Sequence, residues 1–211
     1  MKRILVLTAA LLLTFVAQAQ IVSSSSRRIV VRQMDSFKYI KAGVAFQSAD
    51  LPDYHYGPNL SMGFNLEFGM QKPIGGKGFF WGMEVGLGSR GLNYDGQPEL
   101  WDICLKASPL RFGSELDLSD GLAIDFYVGA FASIDLYGKG QFYYHGRIEK
   151  ISLPDYKKYD LDFRSFDLGF DPGVTFWYRR VGLGVSYQLG LINFFEGGKS
   201  SNVNVSLFLR F

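Results

Sequence analysis

The sequence predicts an all-β fold, a single antiparallel up-and-down transmembrane β-barrel of about eight strands after a cleaved signal peptide. Three observations point there. Apolar residues recur at every second position over long runs, the residues between them are mostly small and polar, and a short apolar segment with a cleavage motif opens the chain.

The bulk composition narrows the class. A chain of 211 residues suits one domain with a substantial core. A formal net charge of +2 points neither to nucleic-acid steering nor to an acidic tail. With 25 Gly, 19 Phe and 12 Tyr but 7 Pro, the chain is too aromatic for a disordered segment and suits close-packed strands bearing aromatic bands. The single cysteine, Cys104, excludes an internal disulfide framework and a multi-cysteine metal site, and reads as a buried free thiol.

Met1-Lys2-Arg3 is a basic start, Ile4–Ala17 an apolar run, and Ala17-Gln18-Ala19 an A-x-A cleavage site, so residues 1–19 read as a signal peptide. The run is shorter than the roughly 18–20 residues a spanning helix needs. Residues 20–37, with Ser23–Ser26 and Arg27-Arg28, read as a flexible periplasmic lead-in, in which Ile29–Arg32 has a short strand-like pattern. Residues 38–211 are the barrel domain.

Within it, Asn59–Gln71 sets Leu60, Met62, Phe64, Leu66, Phe68 and Met70 against Asn59, Ser61, Gly63, Asn65, Glu67, Gly69 and Gln71. A helix would scatter those polar residues around every side, so strand is favoured. The same alternation fills Phe79–Arg90, Leu122–Leu136, Val181–Ile192 and Asn202–Phe211, and more weakly Lys38–Gln47, Leu100–Gly113 and Asp162–Trp177. In Leu100–Gly113 the parity of Trp101, Ile103, Leu105 and Ala107 reverses at Leu110 and Phe112, which calls for a bulge near Ser108-Pro109. Asp171-Pro172 makes the pairing of its strand irregular.

Strands of about 10–15 residues exceed the usual globular mode of about 5–6 and suit a bilayer crossing. Short links at Lys72–Gly78, Asp120-Gly121 and Tyr178–Arg180 alternate with longer first, third, fifth and seventh connections, the longest being Tyr137–Leu161. That pattern places both termini in the periplasm. Phe79, Trp81, Phe176, Tyr178 and Phe211 then form a girdle at the periplasmic end. A soluble lipocalin-like barrel would carry a solvated coat of Lys and Glu on its polar face; here that face is mostly Gly, Ser, Asn and Gln. Such a face suits a narrow interior of small side chains and compensating ions: Lys41, Glu67, Glu84, Arg90, Lys106, Asp125, Asp167 and Arg210.

Three segments carry a resemblance: Ser108-Pro109-Leu110-Arg111-Phe112, Phe166-Asp167-Leu168-Gly169-Phe170 with Gly173, and Val185-Ser186-Tyr187-Gln188-Leu189-Gly190-Leu191. With them the chain, from about Phe37 to Phe211, resembles the outer-membrane β-barrel domain family that includes PorT-like and small porin-family proteins of the Bacteroidetes type. The resemblance implies an outer-membrane location and brings no catalytic residue. Phe211, with Leu209 and Leu207, also resembles the terminal signal by which barrel-assembly machinery recognises its clients.

No constellation calls for catalysis, a cofactor or a metal. Gly197-Gly198-Lys199-Ser200 lacks the first glycine of a phosphate loop, Asn193 standing there, and reads as a loop before a strand. The two histidines, His55 and His145, fall in external loops without a His-x-Ser pair. The candidate interaction surface is the Tyr137–Leu161 loop, chiefly Tyr143, Tyr144, His145, Arg147, Lys157 and Lys158, where basic and aromatic side chains suit an external protein or glycolipid. The expectation is therefore a non-enzymatic outer-membrane protein in contact with outer-membrane lipids. Its rivals are a lipid-modifying barrel enzyme and a soluble lipocalin-like lipid binder.

Overall fold

The computed structural model describes residues 35–50, 58–59, 61–75, 78–94, 99–144, 147–152, 163–195 and 197–211. The expected signal peptide, the lead-in as far as Met34 with Ile29–Arg32, and His55 lie outside the described residues.

Alternating apolar and small polar residues give long strands: β1 (Phe37–Asp50), β2 (Pro58–Asn59), β3 (Ser61–Pro73), β4 (Phe79–Tyr94), β5 (Glu99–Ser119), β6 (Leu122–Tyr144), β7 (Arg147–Ser152), β8 (Phe166–Tyr178), β9 (Val181–Phe195) and β10 (Gly198–Arg210). Among the described residues eight of them close a ring in the order β1, β3, β4, β5, β6, β8, β9, β10, and back to β1, every pairing antiparallel. The up-and-down barrel expected from the sequence is therefore present, and closure leaves the ring no free edge. The seam runs unbroken from Tyr39↔Arg210 to Asp50↔Lys199, and beyond it the Phe211 N–H donates to the Lys38 carbonyl at 3.0 Å. β2 and β7 lie outside the ring, paired to the projecting ends of β4 and β6.

The irregularities have local causes. Ser108 pairs with Glu84 but Arg111 with Gly82, so Pro109 and Leu110 oppose Met83 alone. The same extra residue appears against β6, between Ala107↔Ala132 and Leu110↔Ala130. This is the bulge the parity reversal called for, and it turns Leu110 outward and Arg111 inward. Pro172, by contrast, causes no shift. β8 keeps one register on β9 from Gly169↔Gly190 to Tyr178↔Val181, with the pairs expected at Asp171 and Pro172 missing, as befits a residue without an N–H.

Three expectations need correction. The seventh connection is short, because β9 continues to Phe195 and β10 begins at Gly198, so Gly198-Lys199-Ser200 is strand rather than loop. Asn59–Gln71 is divided into β2 and β3. The supposed loop at Tyr137–Leu161 is strand over much of its length, since β6 reaches Tyr144 and pairs with β7 from Lys139↔Ser152 to Tyr144↔Arg147. At Gly198–Ser200 and at Tyr137–Tyr144 apolar alternation stops before hydrogen bonding does. A hairpin projecting beyond an apolar belt can pair its backbone without an apolar face, so the sequence pattern fades first. β5 and β6, at 21 and 23 residues, span about 70 and about 75 Å at ~3.3 Å per residue, far more than a bilayer core of about 30 Å requires.

Candidate functional site

The short-turn end and the long-hairpin end of the ring frame an interior that is polar and closed. At the short-turn end Arg210 Nη2 lies 2.5 Å from Glu115 Oε2 and 3.7 Å from Asp125 Oδ2. Its guanidinium sits 3.6 Å from the Trp177 ring centre and 3.9 Å from that of Phe37, while the Trp177 indole N–H donates to Asp125 at 2.7 Å. One cation thus ties β10 to β1, β5, β6 and β8.

A middle layer joins strands on all sides of the lumen. Lys41 lies 3.0 Å from Glu67 and 2.9 Å from Glu84; Lys106 lies 3.1 Å from Glu67 and 3.9 Å from Asp171. Arg111 pairs with Glu84 at 2.7 Å, donates to Tyr39 Oη, and stacks 3.4 Å from the Tyr127 ring centre. Three cations meet three carboxylates, so this buried layer balances its own charge. Toward the other end Arg90 binds Asp102 at 3.1 Å and also pairs with Asp135, with Asp167 at 4.0 Å. Ser200 donates to Asp167 at 2.5 Å. Between the middle layer and the Arg90 cluster lies a cavity of about 20 Å³, lined by Asn65, Lys106, Ser133, Gln188 and Asn204 among others, room for about one water.

Seven of the eight ions expected inside are buried and the eighth, Arg210, is half-buried at the short-turn end, but the interior is not filled only by small side chains and ions. Tyr39, Phe80, Tyr127, Phe131, Trp177 and Phe208 are also buried in it. Each lies over a glycine of a neighbouring strand: a Cβ on Gly69 would come within 2.3 Å of Tyr39, and one on Gly113, Gly173, Gly169, Gly182 or Gly184 within 2.4–2.7 Å of Phe80, Tyr127, Phe131, Trp177 or Phe208 respectively. The missing Cβ makes space for a ring that covers the glycine backbone. Alternation in the sequence alone places neither Tyr39 nor Trp177 in the interior. Arg111 is a further interior cation outside the expected eight, and the parity reversal at Leu110 is its signal in the sequence.

The outer face inverts the usual order of a soluble protein. Each strand of the ring exposes large apolar residues, among them Val44, Leu66, Val85, Leu105, Val128, Phe170, Val185 and Leu207. Their exposure runs from 42% to 61%, against 5% or less for Lys41, Glu67, Glu84, Lys106 and Arg111 inside. Of the expected girdle, Phe79, Phe176, Tyr178 and Phe211 are exposed at the short-turn end, and Trp81 is half-buried on the same outward parity.

Of the candidate site residues, Phe211, Leu209 and Leu207 all point outward beside the seam, with the Phe211 ring 6.1 Å from that of Phe68. The register brings Tyr143 opposite Ile148 and Tyr144 opposite Arg147 on the β6–β7 hairpin. His145, Lys157 and Lys158 lie outside the described residues. Cys104 is buried and free. Among the described residues no group of three or more His, Cys, Asp or Glu side chains is arranged to hold a metal ion.

No family model and no curated protein matches this chain. Solved structures do resemble it at low identity. Ail of Yersinia pestis is 16% identical, with 84% of this chain and 100% of that one covered at a TM-score of 0.46, and has also been solved with the heparin analogue sucrose octasulfate. Neisserial surface protein A is 15% identical over 82% and 97% of the two chains at a TM-score of 0.46. The N-terminal β-barrel domain of Pseudomonas aeruginosa OprF is 7% identical over 84% and 98% at 0.38. The ring of eight paired strands stands independently of these likenesses.

Proposed function

We propose that this chain is a non-enzymatic integral outer-membrane β-barrel protein whose role is structural or interactive, exerted through its projecting hairpins. One observation carries the reading: a continuous apolar belt lies outside the ring while ion pairs lie inside it. Soluble proteins rarely expose apolar patches beyond a few hundred Å². A belt that surrounds the whole molecule is stable against lipid, and closed barrels are one of the two structures that satisfy every backbone group there.

The interior argues against two other roles. A lipocalin-like binder needs an apolar cavity, whereas here, among the described residues, ion pairs cross the lumen and the cavity between them has room for about one water. A diffusion pore needs a wet channel, which the layer of Lys41, Glu67, Glu84, Lys106 and Arg111 closes.

The rest of the reading follows from the sequence. Residues 1–19 direct export, the terminal Leu207, Leu209 and Phe211 engage barrel-assembly machinery, and the short-turn end with both termini faces the periplasm. Tyr143, Tyr144, His145, Arg147, Lys157 and Lys158 then lie on the outer side, where basic and aromatic groups suit an anionic glycolipid or an external protein. The PorT-like resemblance fits the same placement. Envelope fractionation tests the reading: the protein should sediment with outer membranes and run at different positions on a detergent gel before and after boiling. Recovery in the soluble fraction with an unshifted band would refute it.

A further inference from the structure

The interior cations are paired, but four cations at the short-turn end are not. Lys38, Lys72, Arg179 and Arg180 are exposed, and none forms an ion pair among the described residues. They lie on adjacent strands. Arg179 and Arg180 form the β8–β9 turn, the Arg180 carbonyl accepts from the Arg210 N–H on β10, Lys38 meets Phe211 across the seam, and Lys38 pairs with Met70 beside Lys72 on β3. The arc spans three to four strand spacings of about 4.8 Å each.

Its setting points to a lipid. Lys38 and Lys72 share the outward parity of Ile40 and Phe68, so their stems lie along the apolar belt with their charges at its edge. Lys72 Nζ sits 5.8 Å from the centre of the Trp81 ring, and the Arg179 guanidinium 5.5 Å from that of Tyr178, which is itself exposed. Phe79 and Phe211 extend the same rim. Arg179 has a φ of 55°, a left-handed conformation that costs a non-glycine residue free energy and that a glycine or asparagine would fill without strain. The exposed carboxylates Asp117 and Asp120 belong to the β5–β6 hairpin at one end of the arc, and Asp35 precedes Lys38.

We propose that this arc is a binding surface for the phosphodiester of anionic phospholipids in the leaflet at the short-turn end, with Trp81 and Tyr178 seated at headgroup depth. The proposal rests on the membrane-barrel reading above. A soluble acidic partner would not require cations on the lipid-facing parity or aromatic rings beneath them, so lipid is favoured.

The test uses the full mature chain carrying Trp101→Phe, which leaves Trp81 as the outward-facing indole beside the buried Trp177. It is refolded into phosphatidylcholine vesicles containing equal fractions of brominated phosphatidylglycerol or brominated phosphatidylcholine. The expected result is stronger quenching by the brominated anionic lipid. That preference should be lost in a K38Q/K72Q/R179N/R180Q variant and kept in K38R/K72R, with both variants still shifted by boiling on gels. Equal quenching by the two lipids in the parent, or a preference that survives loss of all four charges, overturns the proposal. So does binding of soluble polyglutamate without a lipid preference, which would assign the arc to an acidic protein. If neither lipid quenches and no gel shift is seen, the membrane reading itself has failed.

Discussion

Trp177 and Gly182 face each other across the β8–β9 hairpin, and a Cβ on Gly182 would lie 2.7 Å from the indole. The same relationship recurs four times around the interior, with Phe208 lying diagonally over Gly184 as a further case, and connects the two compositional excesses of the chain, glycine and aromatic residues. The glycines do more than thin the wall; they are the sites on which interior rings lie. Gly182→Ala should therefore destabilise the barrel by about 1–3 kcal/mol through overpacking, read as a lower urea midpoint in lipid vesicles. An unchanged midpoint would mean that the ring moves aside freely.

Arg210 binds the same indole and is the cation shared by Glu115 and Asp125. Arg210→Met would leave two carboxylates without their cation near the last strand. Breaking a buried pair of this kind costs about 3–5 kcal/mol. Glu115 and Arg210 retain slight solvent contact, so the lower figure is expected. Unfolding kinetics followed by gel shift give the check, and a wild-type rate would exclude Arg210 as a tie across the ring.

The bulge in β5 makes a sharper test of register. Deleting Pro109 removes the one extra residue against both β4 and β6 and leaves Lys106, Ser108 and Arg111 facing inward. The variant should fold and insert. Deleting Leu105 instead turns Lys106 toward lipid or Cys104 and Asp102 with it, at a cost of about 2–4 kcal/mol for a Lys at mid-bilayer. If the two deletions behave alike under lipid refolding, the facing of β5 is misassigned.

Cys104 reports closure of the wall. It is buried between Asp102 and Lys106 on the inner face. Maleimide should label it only after unfolding, with full labelling in denaturant as the reference. Rapid labelling of the inserted protein would indicate an open lumen, contrary to the ionic layer of Lys41, Glu67, Glu84, Lys106 and Arg111.

The regular part of the fold was readable because one face of each strand meets a single solvent. Val181–Ile192 and Asn202–Phe211 alternate cleanly, and most of their inner residues are glycine, serine, asparagine or glutamine. Where the partner changes, the pattern weakens. Tyr137–Tyr144 is strand without an apolar face because it pairs with β7 beyond the belt. Trp177 and Phe208 stand at inner positions where a polar residue is expected, and only the opposing glycines show that a ring fits. The arc of Lys38, Lys72, Arg179 and Arg180 was hidden for another reason: it is assembled from three separate segments that only ring closure makes neighbours.

The substitution pair Leu66→Arg and Asn65→Ser compares the two faces at one level. Leu66 is half exposed on the belt, whereas Asn65 bonds to Asn204 at 3.2 Å and accepts from Ser206 at 3.1 Å. The first change should cost roughly 2–4 kcal/mol and the second about 1 kcal/mol, by equilibrium refolding into vesicles.

The central claim is that the apolar side of each strand faces lipid, and a spin-label scan of β3 in vesicles measures it most directly. Collision with oxygen, which concentrates in the bilayer, should peak at Met62, Phe64, Leu66 and Phe68 and fall at Gly63, Asn65, Glu67 and Gly69. A flat profile, or one with the peaks on the odd-numbered residues, would contradict the inside-out barrel.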